Sequence, residues 1–185
     1  MWISIAIISF LYIWYLNIIL RKNKALEALS NIDVHLKKRF DLIPNILKMA
    51  QKFMDHESKL FHEITSLRTE VLKPYNPENP KAVQEHFAAA DQLFRKMSDF
   101  GIHCEAYPDL KSSETMVTAM QTYNETEGQL SASRRFYNSA AARLNTSIEI
   151  FPGSLLSSLI GVQSMPSFQA ENKAKDSIDV HDFLK

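Results

Sequence analysis

Residues Trp2 to Leu20 read WISIAIISFLYIWYLNIIL, nineteen positions without one charge. Wound as a helix this run is about 28 Å long, against a bilayer hydrocarbon core of about 30 Å. Eleven of the nineteen are Ile, Leu or Phe. Each contributes about −0.3 to −0.6 kcal/mol near the centre of a spanning helix. Insertion is favoured even with Ser4, Ser9 and Asn17 counted. Trp2 at one end, with Trp14 and Tyr15 nearer the other, suits the two interfacial belts. A cleavable signal peptide wants a basic leader, a shorter apolar core and a small-x-small cleavage site, none of which the sequence shows. The run therefore predicts an uncleaved anchor over residues 1–22, with membrane lipid as its partner.

Orientation follows from the basic residues. None lies before the apolar run, whereas Arg21, Lys22 and Lys24 follow it at once. From Arg21 to Lys52 there are eight Lys or Arg and three acids, a net +5 that anionic lipid headgroups would attract. The expected topology is single-pass, N-terminus outside and body in the cytoplasm. Asp33 precedes Lys37 by four residues, so the Lys37-Lys38-Arg39 cluster reads equally well as a solvated, ion-paired helix face.

Beyond the anchor the sequence is helical. Apolar residues recur with gaps of four and three at Ile32, Leu36, Ile43, Ile46, Ala50, Phe53, Leu60, Ile64, Leu67 and Val71, with Arg39 and Glu57 on the same seam. Pro44 interrupts the seam, and Asp41 three residues earlier is placed to cap a restarted helix. Three prolines between Lys73 and Pro80 end this first long helix. A second is predicted over 81–103, with Val83, Phe87, Ala90, Phe94, Met97 and Phe100 or Gly101 inward. A third, over 112–151, carries Met116, Met120, Tyr123, Glu127, Leu130, Arg134, Tyr137, Ala141, Leu144, Ile148 and Phe151 on its seam. A short apolar turn over 154–160 precedes a polar tail. Heptad-like seams need covering by other helices, so the expected fold is all-α: a transmembrane helix, then an antiparallel, coiled-coil-like bundle of long helices over 23–162, then a partly ordered tail over 163–185.

Arg39, Glu57, Glu127 and Arg134 are charges at positions that packing should desolvate. They should pair with one another or face a wet groove. Reactive constellations are missing. His56 and His62 are six apart where a zincin helix needs four, His103-Cys104 lacks further ligands, and the four glycines are too dispersed to cradle a phosphate. A single cysteine excludes a disulfide scaffold. Equal numbers of basic and acidic residues, 21 each, remove the bulk electrostatic case for nucleic acid. The reading is of a non-enzyme without cofactor, metal or nucleic-acid partner.

The block from Ser30 to Leu47, SNIDVHLKKRFDLIPNIL, followed by His56-Glu57, Tyr107-Pro-Asp-Leu-Lys111, Thr126-Glu127, Ser133-Arg-Arg-Phe-Tyr-Asn138, Asn145, Phe151-Pro152 and Phe168, closely resembles the LemA family. The matching blocks keep the family's order from about Tyr15 to Phe168. The resemblance implies a bacterial inner-membrane protein with one N-terminal anchor and a helical body, without an assigned catalytic residue or cofactor. It marks Asp33, Arg39, Asp41, Pro44, Asn45, Glu57, Glu127, Arg135, Tyr137, Asn138, Asn145 and Pro152 as motif positions. Departures are Leu29 where a tryptophan is usual, Gly128-Gln129-Leu130 after the Thr-Glu pair, and Gly161-Val162 in place of Gly-Phe.

Three functions follow as expectations. The leading one is a membrane-tethered module that binds an unidentified protein by taking a helix or strand into an inter-helix groove lined by seam residues. The alternative is a homo-oligomeric, membrane-organising scaffold. The weakest is an enzyme or accessory subunit acting on envelope components, with Glu57 and Glu127 as acid and base.

Overall fold

The computed structural model describes residues 2–54 and 56–168. Helix α1, Trp2–Phe40, runs without interruption from the uncharged segment into the body, so the expected boundary at residue 22 lies inside one helix. Ile18, Ala25, Leu29, Ile32, Leu36 and Arg39 are its buried stripe, stepping by sevens, fours and threes. The stretch before Ile18 is almost uncovered: Ile3, Ile7, Ile8, Phe10 and Ile13 are all more than half exposed. A core helix of a water-soluble domain would be covered; this one is long and apolar enough to cross a membrane.

Helix α1 ends where Arg68 donates to the Phe40 carbonyl (2.9 Å) and to Asp41 (3.1 Å), a cation at the negative end of a helix. Helix α2, Ile43–Ala50, restarts two residues later with Pro44 in its first turn. Asp41 is not its cap, contrary to expectation. The residue before α2 is Leu42, which makes no side-chain cap bond, and the Asp41 carboxylate is turned to Arg68 instead.

A second break, around 51–57, separates α2 from α3, Ser58–Val71. The apolar spacing predicts one helix through this point, and the break resets its phase. Met54 is buried in place of Phe53, and Glu57 becomes the residue preceding α3 rather than a seam position. Helix α4, Pro80–Cys104, starts at Asn79, whose side chain accepts from the Lys81 and Ala82 amides while Pro80 takes the first turn. Its buried face is Val83, Phe87, Ala90, Leu93, Met97 and Phe100, with Phe94 only half covered.

A short α5, Pro108–Ser112, precedes α6, Glu114–Glu149, which therefore begins two residues later than expected. Met116, Tyr123, Leu130, Tyr137 and Leu144 recur at every seventh position of α6 and are all buried. Helix α7, Gly153–Ile160, follows a turn in which Phe151, expected on the seam, is exposed. Gly161 adopts a left-handed conformation (φ 69°), lets the Val162 amide reach the Ser157 carbonyl, and sends residues 162–168 back along α6.

The core lies mainly between α1 and α6, with α3 on α4 and α7 closing one end. Contacts 39 with 127, 21 with 143 and 14 with 147 run in opposite order along α1 and α6. The described part of the tail, through Phe168, is packed; the rest of the expected partly ordered tail, 169–185, lies outside the described residues.

Cap geometry separates two substitutions. Asn79→Ala should cost about 1 kcal/mol, whereas Ser113→Ala, at a helix start where the serine side chain makes no cap bond, should cost much less. Urea midpoints of the detergent-solubilised chain would check this, and equal midpoints would contradict it.

Candidate functional site

Arg39 sits in the last turn of α1 and faces Glu127 on α6. Glu127 and Arg134, seven residues apart, occupy one face of that helix. The Glu127 carboxylate engages both cations: one oxygen pairs with Arg39 Nη1 and the other accepts from Arg134 Nη1 at 3.4 Å. Phe94 of α4 contacts both guanidinium groups, with its ring centre 4.4 Å from Arg39 and 4.7 Å from Arg134. Tyr123 stacks on Arg39 (4.2 Å) and Phe168 on Arg134 (4.1 Å). Burying Arg39 to 7% exposure is tolerable because the ring faces and a carboxylate replace the lost water. Burial above all, with the like charge of Arg134, lowers its pKa, although guanidinium stays charged at any physiological pH. Asp91, Ser98 and Ser131 complete the walls of a cleft of about 410 Å³ over this cluster.

The second half of the site grips main chain. Asn145 accepts from the Met165 amide and donates to the Met165 carbonyl, both at 2.8 Å. Asn138 does the same to Phe168, at 2.7 and 2.8 Å. Seven helical residues and three extended residues each advance about 10 Å, so the two asparagines match the repeat of an extended chain lying along α6. Between them the Tyr137 hydroxyl donates to the Pro166 carbonyl at 2.8 Å. Burial pushes the Tyr137 phenol well above the usual tyrosine range. Phe168 anchors the segment against Phe87, ring centres 4.4 Å apart, and its ring also stacks on Arg134. The peptide-gripping groove and the arginine cleft are thus continuous.

Asp33 belongs to a separate cluster. It accepts from the Tyr75 hydroxyl (2.9 Å), and His86 Nε2 lies 3.2 Å from it, stacked on the Tyr75 ring. Burial first, then the Asp33 charge, raises the Tyr75 pKa strongly. Asp41 holds Arg68, Asn45 is exposed on α2, and Arg135 is exposed at the cleft rim. Glu57 does not share the site with Glu127, so the two carboxylates proposed as acid and base are not brought together. Among the residues expected to hold the chain in the membrane, Trp14 donates to the Ser147 carbonyl (3.4 Å) and Arg21 to the Arg143 carbonyl (2.9 Å). Lys22 pairs with Glu78 and Lys24 with Glu27, while Trp2 is exposed and Tyr15 lies at 37% exposure.

Tyr75, His86, Phe94 and Phe168 were not singled out as site partners from sequence. The repeat of Asn138 and Asn145 at a helical heptad was the available signal for the peptide grip. Among the described residues no group of three His, Cys, Asp or Glu is placed to hold a metal ion. Burial pushes the half-buried Cys104 thiol up to about 11, which keeps it protonated and a poor nucleophile at neutral pH.

The sequence model of the LemA family matches residues 28–182. The chain belongs to the LemA family. The match starts in α1 beyond the uncharged run, so LemA similarity covers both arginines, Glu127 and both gripping asparagines. A comparison with curated proteins finds none that matches the chain.

Glu127→Gln leaves two guanidinium groups sharing a neutral acceptor and should destabilise by about 1–2 kcal/mol. Glu125→Gln, whose carboxylate meets only Gln121 on an exposed face, should stay within about 0.5 kcal/mol of the parent. Thermal unfolding distinguishes the pair, and coincident midpoints would remove the buried charge bridge from the account.

Proposed function

We propose that this LemA-family chain is a single-pass protein of a bacterial inner membrane whose helical body, on the cytoplasmic side, binds another protein. Support for anchoring comes from the uncovered apolar length of α1; the basic residues after it favour the cytoplasmic side for the body. Binding, not catalysis, is the reading best supported by the groove. The observation that carries it is the double grip of Asn138 and Asn145 on an extended backbone, which requires no particular side chain and so fits recognition of a peptide strand. The adjoining cleft adds two guanidinium groups and an aromatic floor, a setting suited to an acidic or aromatic side chain at the strand's end.

In this reading the chain's own 163–168 segment occupies the groove as a stand-in for, or a rival of, the partner's strand. A photoreactive amino acid at Ser131, on the cleft wall, should form discrete adducts with a different protein in cells. The same probe at Asn124, on an exposed stretch of α6, should not. Adducts only between copies of the chain would replace this reading with the scaffold alternative, and adducts equal at both positions would contradict it.

A further inference from the structure

The contacts of α6 with α1 continue past the last charges of α1. Arg143 meets Arg21, and then Ser147 meets Trp14, seven residues deeper into the uncharged run and about 10 Å further along the helix axis. Gly153, the first residue of α7, packs in the same corner, where a side chain would come within 2.8 Å of Trp14 Nε1. The α6–α7 corner is therefore locked beside apolar α1, well past the level of Arg21.

This corner is apolar on both sides. Its inner side, with Gly153 and Ser157 buried and Leu156 and Ile160 against the core, is ordinary packing. Its outer side carries Phe151, Leu155 and Leu159, four residues apart and 80%, 57% and 76% exposed, with Ile150 beside them. No charge occurs anywhere from Ile150 to Ala170. Such a stripe facing water would be an unfavourable patch on a body otherwise well supplied with charge.

We propose that α7 is a second membrane contact, an interfacial helix whose Leu155 and Leu159, with Phe151 of the turn before it, lie in the headgroup–acyl boundary of the leaflet where α1 emerges. The inference rests on the anchoring of α1 proposed above. The occupant is lipid because the stripe belongs to the corner that packs on the uncharged run of α1 at Trp14, about 10 Å beyond Arg21, a distance comparable to the depth of about 5–10 Å that interfacial helices reach. A consequence is that the body is held to the bilayer at two points, which fixes its orientation to the surface.

The test uses the full chain with Cys104→Ser and one new cysteine at Ile8, Asn124, Leu155 or Leu159, each labelled with an environment-sensitive fluorophore. The labelled proteins are reconstituted in phosphatidylethanolamine–phosphatidylglycerol vesicles carrying brominated acyl chains. Labels at 155 and 159 should lose about half or more of their emission, as should the label at 8, while that at 124 keeps nearly all of it. Circular dichroism matching the parent confirms that each variant is folded. Quenching at 8 without quenching at 155 and 159 overturns the interfacial helix and leaves the anchor standing. No quenching at 8 sinks the anchor and the inference with it. Cross-linking of Leu155→Cys between copies, without quenching, overturns the inference in favour of a second copy as the occupant.

Discussion

The contact between α1 and α6 determines where everything else can be. One helix supplies both the uncharged segment and the first wall of the bundle, so its buried stripe has to be covered along more than half its length. Helix α6 does this with a strict seven-residue repeat, and side-chain contacts join the two helices from Arg39 and Glu127 to Trp14 and Ser147. A buried seven-residue repeat of this kind leaves α6 little freedom to slide, since a shift would carry its apolar residues off the core. Because α1 continues unbroken past the end of the uncharged run, the body inherits whatever direction that run takes.

Polar groups in this seam trade stability for definition of the surface. Arg39 and Arg134 could have been leucines as far as packing alone is concerned, and buried charges are seldom the most stabilising choice. What the pair contributes is a charged, aromatic-floored cleft, lined by three arginines and two carboxylates, next to a groove that already holds extended chain. The asparagines set the register of that chain through both the donor and the acceptor of each amide. An aspartate would lose the donor, and an alanine would lose both.

Much of this was legible in the sequence because it depends on period. The uncharged run, the α4 limits within a residue or so, and the α6 seam all follow from spacing, proline and cap chemistry. The break between α2 and α3 was not legible: no proline or glycine lies between Gln51 and Glu57, and the apolar steps of two helices happen to join across it. Glu57 was misplaced for that reason. Glu127 and the two arginines could be singled out as charges on a seam, but which carboxylate met which guanidinium depended on helix register, a tertiary property. The Asp33, Tyr75 and His86 cluster spans three separate segments and has no local signature. The asparagine grip was visible only as motif positions; its role requires knowing that residues 163–168 return along α6.

Continuity of α1 from the uncharged run into the bundle is the central claim, and the distance between two exposed positions on it tests this directly. Spin labels at Ile8 and Val34, both exposed, are 26 residues apart, which for one unbroken helix corresponds to about 39 Å. Double electron–electron resonance on the full chain in lipid nanodiscs should give a single narrow distribution near that value. A broad distribution, or a mean shorter by about 10 Å or more, would mean that the uncharged run and the bundle are joined by a bend, and the account built on their rigid union would fail.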